Sequence, residues 1–298
     1  MTDSSAITKV VTPTTHDLGG FKVRRAVPSR EARMVGPFVF VDEFGPARLD
    51  PGTGMDVRPH PHINLATVTW LFEGAIDHRD SLGTFSTIHP GTVNLMTAGR
   101  GIVHSERSPQ TERVDGPSLY GMQTWLALPD GQEEIDPAFE AVKDLPRIED
   151  TGANATVIMG ELWGSRASTT THAETIYAEI NLAPGSSIPI DSPADERALM
   201  LVGGEASVDG MALEPYALNL LAPGVRMTLS SASGGKVMLM GGEAFPTRRH
   251  VWWNFVSSDR ERIEQAKEDW REGRFPKVTG DEEEFIPLPD VPKTVSYP

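Results

Sequence analysis

Residues 66–74, Ala66-Thr67-Val68-Thr69-Trp70-Leu71-Phe72-Glu73-Gly74, form a run of β-branched and aromatic residues that ends at a turn. Similar short runs, such as Phe38–Val41 and Thr92–Met96, recur along the chain and are separated by turns such as Pro90-Gly91. An interval of about ten residues between such runs is typical of an antiparallel all-β sandwich or barrel. A parallel sheet would instead show long amphipathic helices alternating with the strands.

The same pattern restarts after a polar, proline-containing stretch at residues 129–150. Thr175–Leu182 and Val237–Met240 are two of the later runs, and each is followed by a turn rich in glycine or proline. The chain therefore predicts two β domains of one architecture, residues 1–145 and residues 146–298. A chain of 298 residues is long enough for two cores.

One segment near the C-terminus has a helical pattern. Ser258-Asp259-Arg260-Glu261 is a capping box with Ser258 as the N-cap, and Gly273 supplies a stop. Ile263, Ala266 and Trp270 follow at spacings of three and four residues. We expect a surface helix of about three turns that packs its Trp270 side on the second β domain, followed by an extended tail.

Composition excludes several classes of function. The chain has no cysteine, which excludes a disulfide scaffold, an iron–sulfur cluster, a thiol nucleophile and a cysteine-based zinc site. It carries 27 basic and 42 acidic side chains, a net charge of −15, which argues against direct nucleic-acid binding. No apolar run approaches the length of a membrane span, and Met1–Thr15 lacks a signal-peptide pattern, so we expect cytoplasmic residence and no membrane partner.

Two short motifs carry candidate metal ligands, His60-Pro61-His62 and His104-Ser105-Glu106. Residues two apart on a strand point to the same face, so each motif offers two ligands to one side. Two such strands would supply three imidazole nitrogens and one carboxylate oxygen, a set that suits a first-row transition metal. The alternative is a buried hydrogen bond between His104 and Glu106 with no metal.

The other histidines lack a partner at ligand spacing. His78 lies in a polar hairpin after Glu73-Gly74, and we expect it to be exposed. We expect ordinary surface or hydrogen-bonding roles for the remaining four, His16, His89, His172 and His250. Arg100, between two glycines, is expected to form a salt bridge in a tight turn.

Four stretches of the sequence, residues 60–62, 66–74, 78–83 and 96–106, resemble the pirin family of the cupin superfamily. The resemblance extends over nearly the whole chain, and the block Met96–Glu106 is its most specific part. The sequence departs from the family pattern at Leu95, where tryptophan is common, and at Asn64, where glycine is common.

The resemblance implies a bicupin, two antiparallel cupin β-barrels of the jelly-roll type. It implies one divalent metal in the N-terminal barrel, usually iron(II), held by His60, His62, His104 and Glu106. Manganese, nickel, copper and zinc take the same ligand types. The C-terminal barrel has no His-x-His motif at the matching place, so we expect it to be degenerate and metal-free.

The resemblance also implies an activity. We expect a metal-dependent dioxygenase that cleaves a flavonol such as quercetin with O2, in which Glu106 accepts the proton of the 3-hydroxyl group. Phe40, Trp70 and Met96 are candidates to line the pocket, although strand alternation points half of such residues away. The alternative is an iron-dependent, redox-responsive regulator that binds a protein partner. A bicupin acting on an unrelated small molecule is the third hypothesis.

Overall fold

The structure is a computed structural model that describes residues 5–17, 21–191 and 194–290. Strands dominate the described residues, and helices are few and short. The first twelve strands are β1 (Ile7–Val11), β2 (Thr14–Asp17), β3 (Lys22–Val27), β4 (Phe38–Arg48), β5 (Asp56–His62), β6 (Leu65–Gly74), β7 (Ile76–Asp80), β8 (Phe85–Ile88), β9 (Val93–Thr97), β10 (Ile102–Arg107), β11 (Ser118–Ala127) and β12 (Ala138–Val142).

Thirteen further strands and two helices complete the described fold. The strands are β13 (Arg147–Asp150), β14 (Ala153–Leu162), β15 (Ser165–Arg166), β16 (Thr175–Leu182), β17 (Ser186–Pro189), β18 (Glu196–Gly204), β19 (Ser207–Val208), β20 (Met211–Ala212), β21 (Leu218–Leu221), β22 (Thr228–Ser231), β23 (Gly235–Gly242), β24 (His250–Trp252) and β25 (Phe255–Ser257). The helices are α1 (Gln110–Arg113) and α2 (Arg260–Arg271). The predicted all-β class with a short helix near the C-terminus is confirmed.

The chain forms two compact units that are not continuous in sequence. The histidine unit consists of Asp17–Val23, Glu43–Lys143 and Pro246–Pro298. The companion unit consists of Met1–His16, Arg24–Asp42 and Asp144–Phe245. The chain leaves the histidine unit after Lys143, close to the boundary expected between residues 145 and 146. The N-terminal strand β1, however, belongs to the companion unit, and helix α2 belongs to the histidine unit.

The histidine unit contains a seven-stranded and a four-stranded antiparallel sheet. The larger has the order β12-β9-β6-β11-β4-β3-β2, of which β2, β3 and β4 contribute only their residues within this unit. The smaller has the order β5-β10-β7-β8, and β24 and β25 form a separate hairpin. Leu71, Ile76, Ile88 and Leu119 are buried in one apolar core of this unit. Burial of each such side chain contributes about 1.5–3 kcal/mol to stability.

The companion unit repeats this plan with different strands. Its larger sheet has the order β1-β21-β18-β23-β16-β14-β13, with β15 added beside β14, and its smaller sheet has the order β17-β22-β19-β20. Val157, Ile180, Leu199 and Leu239 are fully buried in its core. Ile188 is also part of this core. It belongs to the stretch Ile188-Pro189-Ile190, which stands before β18 and has no His-x-His motif.

Helix α2 begins one residue later than the capping box predicted. The Asp259 carboxylate accepts from the Glu261 N–H at 2.8 Å and is therefore the N-cap. Ser258 instead donates its N–H and its hydroxyl to the Glu133 carboxylate. Glu133 lies in the connection between β11 and β12, far from Ser258 in the sequence. Because Ser258 bonds this carboxylate, it does not cap the helix, and the local sequence gives no sign of that partner.

The buried face of α2 packs within the histidine unit, so the prediction that it packs on the second β domain is wrong. Ile263 and Ala266 are in one apolar cluster with Ile63, Trp252 and Phe255. Trp270 is partly buried against the same cluster, and its Nε1–H donates to the carbonyl of Ile286 at 3.0 Å. None of the helices in the described residues is long and apolar enough to cross a membrane.

Candidate metal centre

Strands β5 and β10 carry the three histidines of the predicted metal motifs. The strands are antiparallel, with His104 opposite His60 and Ile102 opposite His62. Since residues two apart share a face of a strand, the three imidazoles meet on one side of the sheet. Each offers one nitrogen, these nitrogens all lie within 4.8 Å of one another, and all three side chains are buried.

The spacing of these nitrogens fits a metal ion. His62 Nε2 and His104 Nε2 are 3.1 Å apart. Two nitrogen ligands that each lie about 2.1 Å from one ion are separated by about 3.0–3.4 Å at the bond angles of octahedral and tetrahedral sites. The donor set therefore fits a divalent first-row transition metal.

Backbone carbonyls fix the tautomers of two of the rings. Nδ1 of His60 lies 2.9 Å from the carbonyl oxygen of Arg58, and Nδ1 of His62 lies 3.0 Å from that of Asn254. A carbonyl oxygen only accepts, so each Nδ1 carries the proton and each Nε2 keeps its lone pair. This is the arrangement in which imidazole binds a metal through Nε2.

Burial keeps the three rings uncharged. It lowers the pKa of His60 to about 4, and it lowers the pKa values of His62 and His104 well below the usual range for histidine. The neighbouring imidazoles lower these pKa values further, because a charge on one ring disfavours a charge on the next. At neutral pH the cluster therefore presents neutral nitrogen ligands, as metal binding requires.

Glu106 lies two residues after His104 on β10, beyond a β-bulge in the pairing with β5. Its side chain is buried, and Oε1 accepts from Nε2 of Gln123 at 2.9 Å. Burial raises the pKa of Glu106, and this effect exceeds the lowering by His78 and Gln123. The carboxylate is not in the set of ligand atoms that lie within 4.8 Å of one another, so its role as fourth ligand stays a prediction.

The prediction that His78 is exposed is wrong, because its side chain is buried beside the cluster. Strand β7 pairs with β10 and places His78 opposite Glu106 and Asp80 opposite His104. Nε2 of His78 bonds Oδ2 of Asp80 at 3.0 Å, and Nδ1 lies 3.4 Å from Nδ1 of His104. The spacing His78-x-Asp80, like His104-x-Glu106, is the signal that could have placed both residues on the inner face.

The larger sheet supplies aromatic contacts to the cluster. The ring of Trp125 on β11 meets His62 edge-on at 4.9 Å, and the ring of Phe139 on β12 stacks on His78 at 4.6 Å. Met96 pairs with Phe139 and therefore shares this face of the sheet.

Trp70 and Phe40 are the other two side chains expected to line the pocket. Trp70 is opposite Met122, one position from Gln123, so alternation directs it to the other face of the sheet. Phe40 belongs to the companion unit, where the guanidinium of Arg25 lies 4.2 Å from its ring centre.

Arg100 stands out in the sequence for its position between two glycines. Arg100 forms the expected salt bridge, with Asp136 as its partner. Among the described residues, His60, His62 and His104 are the one group of three or more histidine, aspartate or glutamate side chains with ligand atoms close enough to share an ion. The companion unit therefore contains no such group in its described part.

Two family models match the chain, Pirin over residues 20–126 and the Pirin C-terminal cupin domain over residues 177–276. A pirin-like protein from Caulobacter vibrioides is 45% identical over 279 residues, which are 92% of this chain and 96% of that protein. These matches agree with the resemblance seen in the sequence motifs and assign a cupin domain to each half of the chain.

Two solved structures are informative. A crystal structure of quercetin 2,3-dioxygenase from Acinetobacter baumannii has a TM-score of 0.89 and 34% identity, and the match covers 96% of each chain. A bacterial pirin from Escherichia coli in complex with nickel(II) has a TM-score of 0.62 and 18% identity, and the match covers 77% of this chain and 95% of that one. The second likeness shows the fold alone.

Proposed function

This chain belongs to the pirin family, and we propose that it is a metal-dependent dioxygenase that cleaves a flavonol such as quercetin with O2. The observation that carries the proposal is the buried convergence of His60, His62 and His104, in which Nε2 of His62 lies 3.1 Å from Nε2 of His104. The similarity to quercetin 2,3-dioxygenase from Acinetobacter baumannii supports the choice of reaction and substrate class.

His60, His62 and His104, with Glu106, would hold the metal, which we propose to be iron(II). The metal supplies, when bound, Lewis-acid activation of a hydroxyl group. The three imidazoles are neutral and buried, and two of them are oriented by the carbonyls of Arg58 and Asn254. These two hydrogen bonds hold the rings of His60 and His62 in their orientations, which limits the cost of ordering them when a metal binds.

Glu106 would act as the general base that accepts the proton of the substrate 3-hydroxyl. Oε1 accepts from Gln123, so Oε2 is the oxygen left both to bind the metal and, in the reaction, to accept the proton. Gln123 thus orients the carboxylate while one oxygen stays available for proton transfer.

The faces of Trp125, Met96 and Phe139 beside the histidines suit an aromatic substrate. Trp125 contacts His62, Phe139 contacts His78, and Met96 lies on the same face of the larger sheet as Phe139. Aromatic and thioether side chains bind a flat ring through offset stacking and sulfur contacts. They also exclude water from the point where proton transfer would take place.

The test is to load the purified protein with iron(II), add quercetin and O2, and follow the loss of flavonol absorbance. His62→Ala removes a ligand and is expected to abolish both metal content and turnover. Glu106→Gln keeps the shape of the side chain, and we expect its kcat to fall by about 10²–10⁴-fold. His89→Ala, at a histidine away from the cluster, is the matched control and should leave turnover unchanged. If iron is bound and turnover does not exceed that of His62→Ala, the proposed activity is wrong.

A further inference from the structure

Asp80, His78 and His104 form a continuous chain of polar contacts beneath the candidate metal centre. Oδ2 of Asp80 lies 3.0 Å from Nε2 of His78, and Nδ1 of His78 lies 3.4 Å from Nδ1 of His104. The three side chains are 0%, 3% and 1% exposed, so water does not replace these partners. Phe139 stacks on His78 and restricts the rotation of its ring.

The positions of the protons follow from the first member of the chain. Oδ1 of Asp80 accepts from the backbone N–H groups of Leu82 and Thr84 at 2.9 and 3.1 Å. Oδ2 is left to face His78, and a carboxylate only accepts. Nε2 of His78 therefore carries a proton, and in the neutral ring Nδ1 keeps a lone pair.

The lone pair on His78 Nδ1 determines the tautomer of the next ring. Nδ1 of His104 must be the donor in the contact between the two rings, so its Nε2 keeps the lone pair. That nitrogen is the one that faces His62 Nε2 at 3.1 Å.

We propose that Asp80 and His78 are positioning residues that fix His104 as the tautomer able to bind metal through Nε2. His60 and His62 receive the same proton assignment from backbone carbonyls, which no side-chain substitution removes. Of the three histidines, His104 is the one whose proton position is set by side chains, those of His78 and Asp80. The inference rests on the proposed metal site and is independent of the flavonol reaction.

The decisive variant is Asp80→Asn, because the local geometry determines which way the amide points. The Leu82 and Thr84 N–H groups require an acceptor at the position of Oδ1, so the amide oxygen takes that place. The amide Nδ2 then faces His78 Nε2 as a donor and reverses the proton pattern along the chain. His104 would carry its proton on Nε2, the atom that the metal needs.

The tautomers can be read directly from nitrogen-15 chemical shifts of the histidine side chains in the metal-free full-length protein. We expect His104 to be protonated at Nδ1 in the wild type and at Nε2 in Asp80→Asn. Finding Nε2–H for His104 in the wild type would overturn the proposal without any variant, so the test does not depend on the folding of a mutant.

Metal affinity supplies the second measurement, with cobalt(II) as the probe in competition with a chelator. Second-sphere partners of metal-binding histidines typically contribute 10–100-fold to affinity, so we expect Asp80→Asn to weaken cobalt binding by about that factor. Asp77→Asn is the matched control, because Asp77 lies on the same strand and accepts from the Thr87 hydroxyl instead. Its cobalt affinity should stay within about twofold of the wild type.

Asp80 could also affect metal binding by holding the turn at Leu82 and Thr84, without acting on His78. The His78→Leu variant separates the two roles. There the chain is already broken, so adding Asp80→Asn should change cobalt affinity less than twofold. An equal loss in both backgrounds, with the His104 tautomer unchanged, would contradict the proposal. If the wild type binds no cobalt at all, the metal site and the proposed function fail together. Bound cobalt with the other tautomer defeats this inference alone.

Discussion

Asn64 has a structural role in the turn between β5 and β6, two residues after His62. Its φ of +57° is a left-handed conformation that glycine and asparagine adopt more readily than other residues. Its side chain is fully buried, and Nδ2 donates to the Glu133 carbonyl and to Oε1 of Glu134, both at 2.7 Å. Asparagine in place of the family's usual glycine therefore attaches the turn to the segment around residue 133.

Asn64→Gly is expected to keep the backbone conformation and lose these hydrogen bonds. We expect the free energy of unfolding to fall by about 1–3 kcal/mol, because two hydrogen bonds are lost and each contributes about 0.5–1.5 kcal/mol. Asn64→Asp should cost more, since a carboxylate cannot donate to Glu133 and repels Glu134. Urea denaturation of the three proteins measures the order. An Asn64→Asp protein as stable as Asn64→Gly would contradict the assigned hydrogen bonds.

The sequence alone predicts His60, His62 and His104 as ligands, because residues two apart on a strand point to the same face. It missed His78 because burial depends on the pairing of β7 with β10, which the local polar composition does not reveal. The partner of His62, the carbonyl of Asn254, lies 192 residues away in the sequence and belongs to the backbone. Any residue type can supply such a carbonyl, so no sequence pattern marks it.

The segment after helix α2 is attached to the end of strand β10, which carries His104 and Glu106. Arg107 follows Glu106 on this strand and forms a two-point ion pair with Asp281, at 2.8 and 2.9 Å. The Ile286 N–H donates to the carbonyl of Pro59 at 2.8 Å, next to His60 on β5. The extended stretch expected from its prolines thus runs along the two strands that carry the metal motifs.

This attachment is expected to weaken in acid. Burial alone would raise the pKa of Asp281, but hydrogen bonds and charge from Arg107 outweigh it and hold the pKa below the usual value of aspartate. A depressed pKa means that the ion pair stabilises the fold fully above about pH 4–5 and is lost as the pH falls through the folded-state pKa.

Asp281→Asn should therefore lower the free energy of unfolding by about 1 kcal/mol at pH 7 and by progressively less below about pH 4. Denaturant unfolding between pH 3 and pH 7 measures the difference between variant and wild type. Asp290→Asn, at an exposed aspartate of the same segment, is the control and should leave the free energy of unfolding at pH 7 unchanged. A difference for Asp281→Asn that stays constant over the whole range would rule out the ion pair as its source.

The sequence predicts two β units of one design and a domain boundary near residue 145, because turn and strand patterns repeat along the chain. It did not predict that residues 246–298 group with the histidine unit. That assignment depends on contacts between distant segments, such as the buried guanidinium of Arg249, whose Nη2 donates to the Leu128 carbonyl at 2.7 Å. Periodicity shows which elements form, and it carries no information on which of two similar cores a later element joins.

The contribution of these residues to the histidine unit can be measured with two shortened chains. A chain ending at residue 245 loses the Asn254 carbonyl that orients His62, together with Phe255 and Ile263 of the apolar cluster. A chain ending at residue 274 keeps all three and serves as the matched control. Since three or more kcal/mol of core and hydrogen-bond stabilisation are lost in the first chain, its residues 43–143 should be cleaved by trypsin on the order of 100-fold faster than in the full-length protein.

Residues 144–245 are the internal reference in the same digests, because the companion unit has no residues beyond Phe245. Mass spectrometry of the fragments should place the new cleavages in residues 43–143 of the chain ending at 245, which should also fail to bind cobalt(II). The chain ending at 274 should retain cobalt binding, because His60, His62, His104 and the Asn254 carbonyl are all present. Equal protection of residues 43–143 in both chains would show that the C-terminal segment adds nothing to the histidine unit.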